Sequence, residues 1–167
     1  ILPELPANPP QGAPRAAATL VVVRDAAVGI EVLLLRRAER GDHNSGAWVF
    51  PGGIVEPGDR LAHAYCAGLD DASASARLGL PQGGLDPYVA AVRECFEEAG
   101  LLLALDAHGT LLDLRADPSL ATEIAAWRGP VHRGERDLAA LCARFGLRLA
   151  MDRLAYLSHW LTPPLRT

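Results

Sequence analysis

The stretch "RECFEEAG", residues 93–100, holds the side chains best suited to chemistry. Glu94, Glu97 and Glu98 lie within five positions, beside Arg93 and just ahead of Gly100. At about 100° per residue, Val89, Val92, Phe96 and Ala99 fall on one stripe of a helix, and the three glutamates fall within about 100° of one another on the opposite side. Three carboxylates on one side can converge on one point, and hard divalent cations such as Mg²⁺ take oxygen ligands of this kind. Without a cation the placement is unfavourable, because the C-terminal end of a helix carries partial negative charge. From these residues alone, a solvated acidic face is the competing reading.

The elements around this stretch must position it. Asp86 followed by Pro87 predicts a helix over 87–99, with Asp86 as N-cap acceptor and Gly100 as the stop. Upstream, "AAATLVVVRD" (16–25) and "IEVLLLRR" (30–37) predict two strands joined by a tight turn, and "AWVF" (47–50) a short third. "PGG" (51–53) breaks that strand, and paired glycines let backbone approach a ligand closely. A short helix is expected between Asp70 or Asp71 and Gly79, and two more near 118–128 and 135–145. "LLLAL" (101–105) is expected as a buried strand and "LRLAMDRLAYLSHWLTPP" as strand-like. Residues 1–15 contain five prolines and are expected as an extended arm, leaving 16–167 as the domain. The pattern predicts an α/β or α+β fold.

Composition narrows the function. A chain of 167 residues, half of them hydrophobic, can bury one sizeable core. A net charge of −4 and a pI near 5.7 argue against a broad basic surface, hence no nucleic acid and no membrane partner. All sixteen basic residues are arginines, which reads as compositional bias. Three cysteines, Cys66, Cys95 and Cys142, form no metal or disulfide pattern and point to a reducing, cytoplasmic setting. No apolar run reaches the roughly 20 residues of a membrane span. No signal peptide is visible, and Ile1 is compatible with a start further upstream. The five histidines show no metal-ligand spacing and are expected in loops or packing. Arg36 and Arg37 are candidates for binding phosphate.

Taken with "FPGGIVEPGD" (50–59), the acidic stretch resembles the Nudix box, the signature of the Nudix hydrolases. The second half is complete from Arg93 to Leu101. The first half matches from Gly53 to position 59, where Asp59 replaces the usual Glu, and thirty-three residues (60–92) stand where the family has seven. "LLLRRAERGDHNSGAWVFPGG" (33–53) is similar to the additional motif of the coenzyme A diphosphatase branch, matching at Arg37, Ala38, Gly46 and Phe50–Gly53. There Leu35 replaces a Thr and Asp42 an Arg. The insertion and "SHWLTPPLR" (158–166) look most like the peroxisomal coenzyme A diphosphatases and their bacterial relatives.

The resemblance implies an α/β/α sandwich with a mixed sheet, and a further strand and helix beyond Thr167. It implies a hydrolase that uses Mg²⁺ or Mn²⁺ to cleave a nucleoside diphosphate linked to another moiety, possibly coenzyme A or an acyl-CoA. The partner expected is a small molecule, with a homodimer left open. It assigns Glu97 and Glu98 as metal ligands, Glu94 as ligand or proton acceptor, and the Gly52 carbonyl as a further ligand. Arg93, Glu94 and Glu98 are the expected catalytic set. Arg93 is expected to pair with Asp59, loosely, because Asp59 is one methylene shorter than Glu. The general base stays open, as does a non-catalytic, nucleotide-binding Nudix-fold domain. The excursion 60–92 is expected to return the chain to the same place and to border the substrate pocket.

Overall fold

The computed structural model describes residues 14–38 and 46–161. Most of the proline-rich arm, Asp42, His43 and the end of the 158–166 stretch lie outside the described residues.

The run 16–25 forms two strands, β1 (Ala17–Thr19) and β2 (Val23–Asp25), and 30–37 likewise forms β3 (Ile30–Val32) and β4 (Leu35–Arg36). Each run is divided because it changes partner part-way. β1 pairs antiparallel with β6 (Gly52–Ile54), β2 with β3 through a turn closed by Ala26 N–H on the Gly29 carbonyl, and β4 with β5 (Trp48–Val49).

From residue 57 onward helices dominate. A 3₁₀ helix, Pro57–Tyr65, leads through β7 (Cys66–Ala67) to α1 (Asp71–Leu78) and α2 (Leu85–Ala99). Then come β8 (Ala104–Leu105), α3 (Pro118–Ala125), α4 (Arg128–His132), α5 (Leu138–Phe145), β9 (Arg148–Ala150) and a second 3₁₀ turn, Met151–Arg153. β9 pairs parallel with β7 and antiparallel with β8, a mixed sheet. The expected strand over 101–105 shrinks to two residues, and among the described residues the strand-like tail forms strand only over β9.

Capping explains the helix bounds. Asp70 caps α1 by accepting from Ser73 N–H at 2.7 Å, Asp117 caps α3 through Leu120 N–H at 3.0 Å, and Asp137 caps α5 through Ala140 N–H at 2.7 Å. The region expected as one helix over 118–128 ends at Ala125 and restarts at Arg128. α2 begins at Leu85, two residues before the expected Pro87. The reason is a cap supplied from outside the helix: the Asp71 carboxylate accepts from Gly83 N–H at 2.9 Å and from Leu85 N–H at 3.0 Å. Asp86 is thereby released to pair with Arg60 at 2.5 Å and to lie 2.8 Å from His63.

Among the described residues, the buried apolar side chains lie between Ala62 and Met151, apart from Pro51 between β5 and β6. Val89, Val92 and Phe96 of α2 stand at its centre, on the stripe expected from the helical period. β1 and β6 lie against another side of α2, near its C-terminal half. No helix among the described residues is long and apolar enough to cross a membrane.

Candidate active site

The acids stand where α2 meets β6. α2 stops because Gly100 takes the left-handed conformation, φ 71°, and its N–H returns to the Phe96 carbonyl at 2.9 Å. Glycine is required on the opposing strand. In the β1–β6 pairing Gly52 faces Thr19 and Gly53 faces Ala18. A Cβ at Gly52 would stand 2.5 Å from the Ala18 carbonyl oxygen, and one at Gly53 would fall on the Glu94 carboxylate. The two glycines thus let strand and acidic face touch, and the Gly52 N–H donates to Glu98 Oε2 at 3.0 Å across 46 positions of sequence. The excursion does return the chain to the same place.

Arg93 organises the interior side of this contact. Its Nε donates to Asp59 Oδ1 at 2.7 Å and its Nη2 to the Ile54 carbonyl at 2.7 Å. Its Nη1 donates to Glu94 at 2.8 Å and to Glu97 at 3.0 Å. The Arg93 and Asp59 side chains are 7% and 1% exposed. The pairing is therefore close, against the expectation of a loose one. The 3₁₀ helix carries the shorter Asp59 inward, and Asp59 Oδ2 also accepts from Glu56 N–H at 2.8 Å. Burial works against the Arg93 charge; the Asp59 carboxylate, with Glu97 and Glu94 behind it, outweighs this and holds the guanidinium above its ordinary pKa. Burial raises the Glu94 carboxyl above its ordinary value. Arg93 opposes that shift, and the neighbouring charges of Glu97 and Glu98 add to it.

The outer side is a groove of about 880 Å³. Arg36 and Arg37 of the β4 region line it, facing Glu97, Glu98, Arg128 and His132. Arg128 and His132 were not singled out in the sequence, and His132 has more than a loop role. Its Nδ1 lies 3.0 Å from Glu97 Oε2. Arg128 donates from Nε to the Glu97 carbonyl and from Nη2 to the Glu98 carbonyl, both at 2.6 Å. The signal available in sequence was the basic run "WRGPVHRGER" (127–136), whose spacing alone does not reveal a partner 30 positions upstream.

The excursion does not border this groove: no residue of 60–92 lines it. Its helix α1 is tied by Asp71 to the first turn of α2, while Glu98 lies thirteen residues further on, roughly 20 Å along the axis. Residues 85–92 of the stretch expected as insertion are themselves the first half of α2.

The carboxylates are gathered but not yet pooled. Among the described residues no three His, Cys, Asp or Glu side chains are grouped so as to hold a metal ion. Arg93 Nη1 draws Glu94 and Glu97 together, and the Gly52 N–H holds Glu98. The donor chemistry nonetheless suits a hard cation, being three carboxylates beside exposed backbone and no sulfur. Cys95, the nearest thiol, faces the core, where burial pushes its pKa up to about 11. Cys66 and Cys142 are likewise free thiols pushed up to about 12, first by burial.

Comparison with known proteins bears on the family and the fold. The family model described as "NUDIX domain" matches residues 14–65, ending with the last residue of the first 3₁₀ helix. The acyl-coenzyme A diphosphatase NUDT19 of Gallus gallus is 32% identical over 162 residues, 80% of this chain and 43% of its own length. That of Homo sapiens is 33% identical over 172 residues, 84% of this chain and 45% of its own length. The chain thus spans less than half the length of these relatives. A crystal structure of a NUDIX hydrolase from Alicyclobacillus acidocaldarius matches with a TM-score of 0.63 and 31% identity, covering 91% of this chain and 64% of that one.

Proposed function

Because this chain belongs to the Nudix family and has its α/β sandwich fold, we propose that it is a divalent-metal-dependent diphosphatase. Its substrate class is a nucleoside diphosphate linked to a second moiety. The names of its relatives support coenzyme A or an acyl-CoA as that substrate. The observation that carries the reading is the contact of the Gly52–Gly53 strand with the Glu94–Glu98 face, beside a groove that also holds Arg36 and Arg37.

Glu97 and Glu98, with Glu94 and the backbone at Gly52, would hold Mg²⁺ or Mn²⁺, which when bound offsets charge on the phosphates and activates the attacking water. The protein's own groups do the rest. Glu98 faces the groove and offers its carboxylate to the reaction centre. Glu94, as a further ligand or as the proton acceptor, sits behind it against Gly53. Arg93 holds Asp59, Ile54 and two of the acids in one unit, so that the strand and helix cannot separate. Arg36 and Arg37 present guanidinium groups suited to phosphate oxygens.

One observation favours a second reading, a domain that binds nucleotide without turnover: the acids are engaged by Arg93 and Gly52 and not pooled on one point. A panel of diphosphates, including coenzyme A and acyl-CoA, incubated with and without Mg²⁺ or Mn²⁺ separates the two. Metal-dependent release of two phosphomonoesters supports the enzyme. Calorimetric binding of the same compounds with no cleavage, by folded protein with either metal, supports the binding domain.

A further inference from the structure

The acids sit at the end of α2 where the helix dipole opposes them, and a specific device offsets that cost. Arg128, the first residue of α4, lays its guanidinium across the end of α2. Nε takes the Glu97 carbonyl and Nη2 the Glu98 carbonyl, each at 2.6 Å, while Gly100 N–H takes the Phe96 carbonyl at 2.9 Å. Three successive carbonyls that a helix end leaves without intrahelical partners are thus satisfied. The positive charge also stands where the dipole is negative.

The guanidinium is held from a fixed base. Trp127, just before it, packs edge-on against Phe145 with ring centroids 5.9 Å apart, and Arg136 stacks over its indole at 4.2 Å. Val131 of α4 is buried in the core. One turn beyond Arg128, His132 reaches the Glu97 carboxylate. α4 therefore grips Glu97 at both backbone and side chain. A planar fork suits two adjacent carbonyls, whereas the single ammonium of a lysine does not span them in a fixed geometry.

We propose that Arg128 is a positioning residue of the acidic site, clamping the last turn of α2 so that Glu97 and Glu98 stand ready to take a divalent cation. The inference rests on the metal reading above, so its test uses Mn²⁺ alone and needs no turnover. Mn²⁺ affinity, followed by the paramagnetic resonance of the free ion, is compared for the wild type, Arg128→Ala, Arg128→Lys and the control Arg133→Ala, whose native side chain pairs with Glu135 and does not line the groove. Amide hydrogen exchange at residues 98–101 is measured on the same proteins without metal.

Arg128→Ala weakens Mn²⁺ binding about tenfold, as loss of a supporting partner does in metal sites. It also speeds exchange of the Gly100 amide, and added guanidinium ion restores part of both. Arg128→Lys recovers binding only in part, and Arg133→Ala leaves both readouts unchanged. A merely structural residue would lower overall stability without a selective change at the end of α2 or rescue by guanidinium. Wild-type affinity together with wild-type Gly100 exchange in Arg128→Ala overturns the proposal. Should that variant not fold, Arg128→Lys is decisive in the same way, and wild-type values for it overturn the proposal. A wild-type protein that binds no Mn²⁺ overturns the metal reading and the metal half of this inference, while the exchange rates still decide whether Arg128 clamps the helix.

Discussion

The strand region before residue 56 and the helical region after it are built on different terms. The helical region buries Val89, Val92, Phe96, Leu141 and Leu149 completely or nearly so. The strands carry large apolar side chains at the surface: Val23 is 55% exposed, Ile30 66% and Trp48 64%. One region is secured by burial, which scales with the apolar area removed from water. The other is tied to it by a few polar contacts at β6, chiefly Arg93 on the Ile54 carbonyl and Gly52 on Glu98. The acidic site lies on that seam. Its geometry therefore depends on directional bonds more than on packing, and this is where substitutions should separate stability from activity.

The largest effect is expected at the buried node. Arg93→Met leaves Asp59 charged and enclosed without its partner, which should cost about 3–5 kcal/mol, the range for breaking a buried ion pair. Denaturant unfolding checks this. If Arg93→Met together with Asp59→Asn recovers a large part of the loss, the cost lies in the stranded charge, as the account requires.

Glu98→Gln sharpens the contrast from the other side. Glu98 is exposed and faces the groove, so its loss should lower turnover on the order of 10²-fold or more while the melting temperature stays close to wild type. Steady-state kinetics and thermal unfolding on one sample test both halves.

A smaller effect is expected at the far end of α2. The amides of Leu85 and Gly83 outweigh the opposing effect of burial and hold the Asp71 carboxyl below its ordinary pKa. A lowered folded-state pKa adds stability that is present above the unfolded value and is lost as pH falls through the folded one. Asp71→Asn should cost about 1 kcal/mol at neutral pH, the usual value of a helix cap. The gap between variant and wild type should close as pH drops below about 4. Unfolding curves across pH 2–7 follow it, and activity at neutral pH should survive.

The smallest effect is expected on the open strands. Ile30→Thr should change stability by no more than about 0.5 kcal/mol, as surface substitutions do. A loss of several kcal/mol in denaturant unfolding would show that this face is packed in the working protein and that the contrast between the two regions is false.

What could be read from the sequence was what local spacing encodes. The 3.6-residue period identified the buried stripe of α2 and set Glu94, Glu97 and Glu98 on the other side, and Gly100 marked the stop. The meeting of Gly52–Gly53 with that face followed from motif resemblance. What stayed hidden were partners brought by tertiary folding. Asp71 caps a helix that starts fourteen residues later, and Arg128 closes the same helix from thirty residues beyond. Neither spacing has a local signature. The strand runs were drawn too long for a similar reason, since apolar content marks a strand but not the point at which it changes neighbour. The excursion was expected at the rim of the substrate pocket because it interrupts the motif; its tie through Asp71 holds α1 at the first turn of α2, and none of its residues lines the groove at Glu97 and Glu98.

The central claim is that the acids of α2, facing the groove beside β6, serve metal-dependent cleavage of a diphosphate bond. The most direct measurement follows an acyl-CoA by ³¹P NMR with the wild-type protein and the diamagnetic Mg²⁺, then again after chelation. The account predicts that the two diphosphate resonances disappear, phosphomonoester resonances grow in their place, and chelator stops the reaction. Diphosphate resonances that persist unchanged with folded, Mg²⁺-saturated protein, or cleavage that proceeds equally in excess chelator, would contradict it.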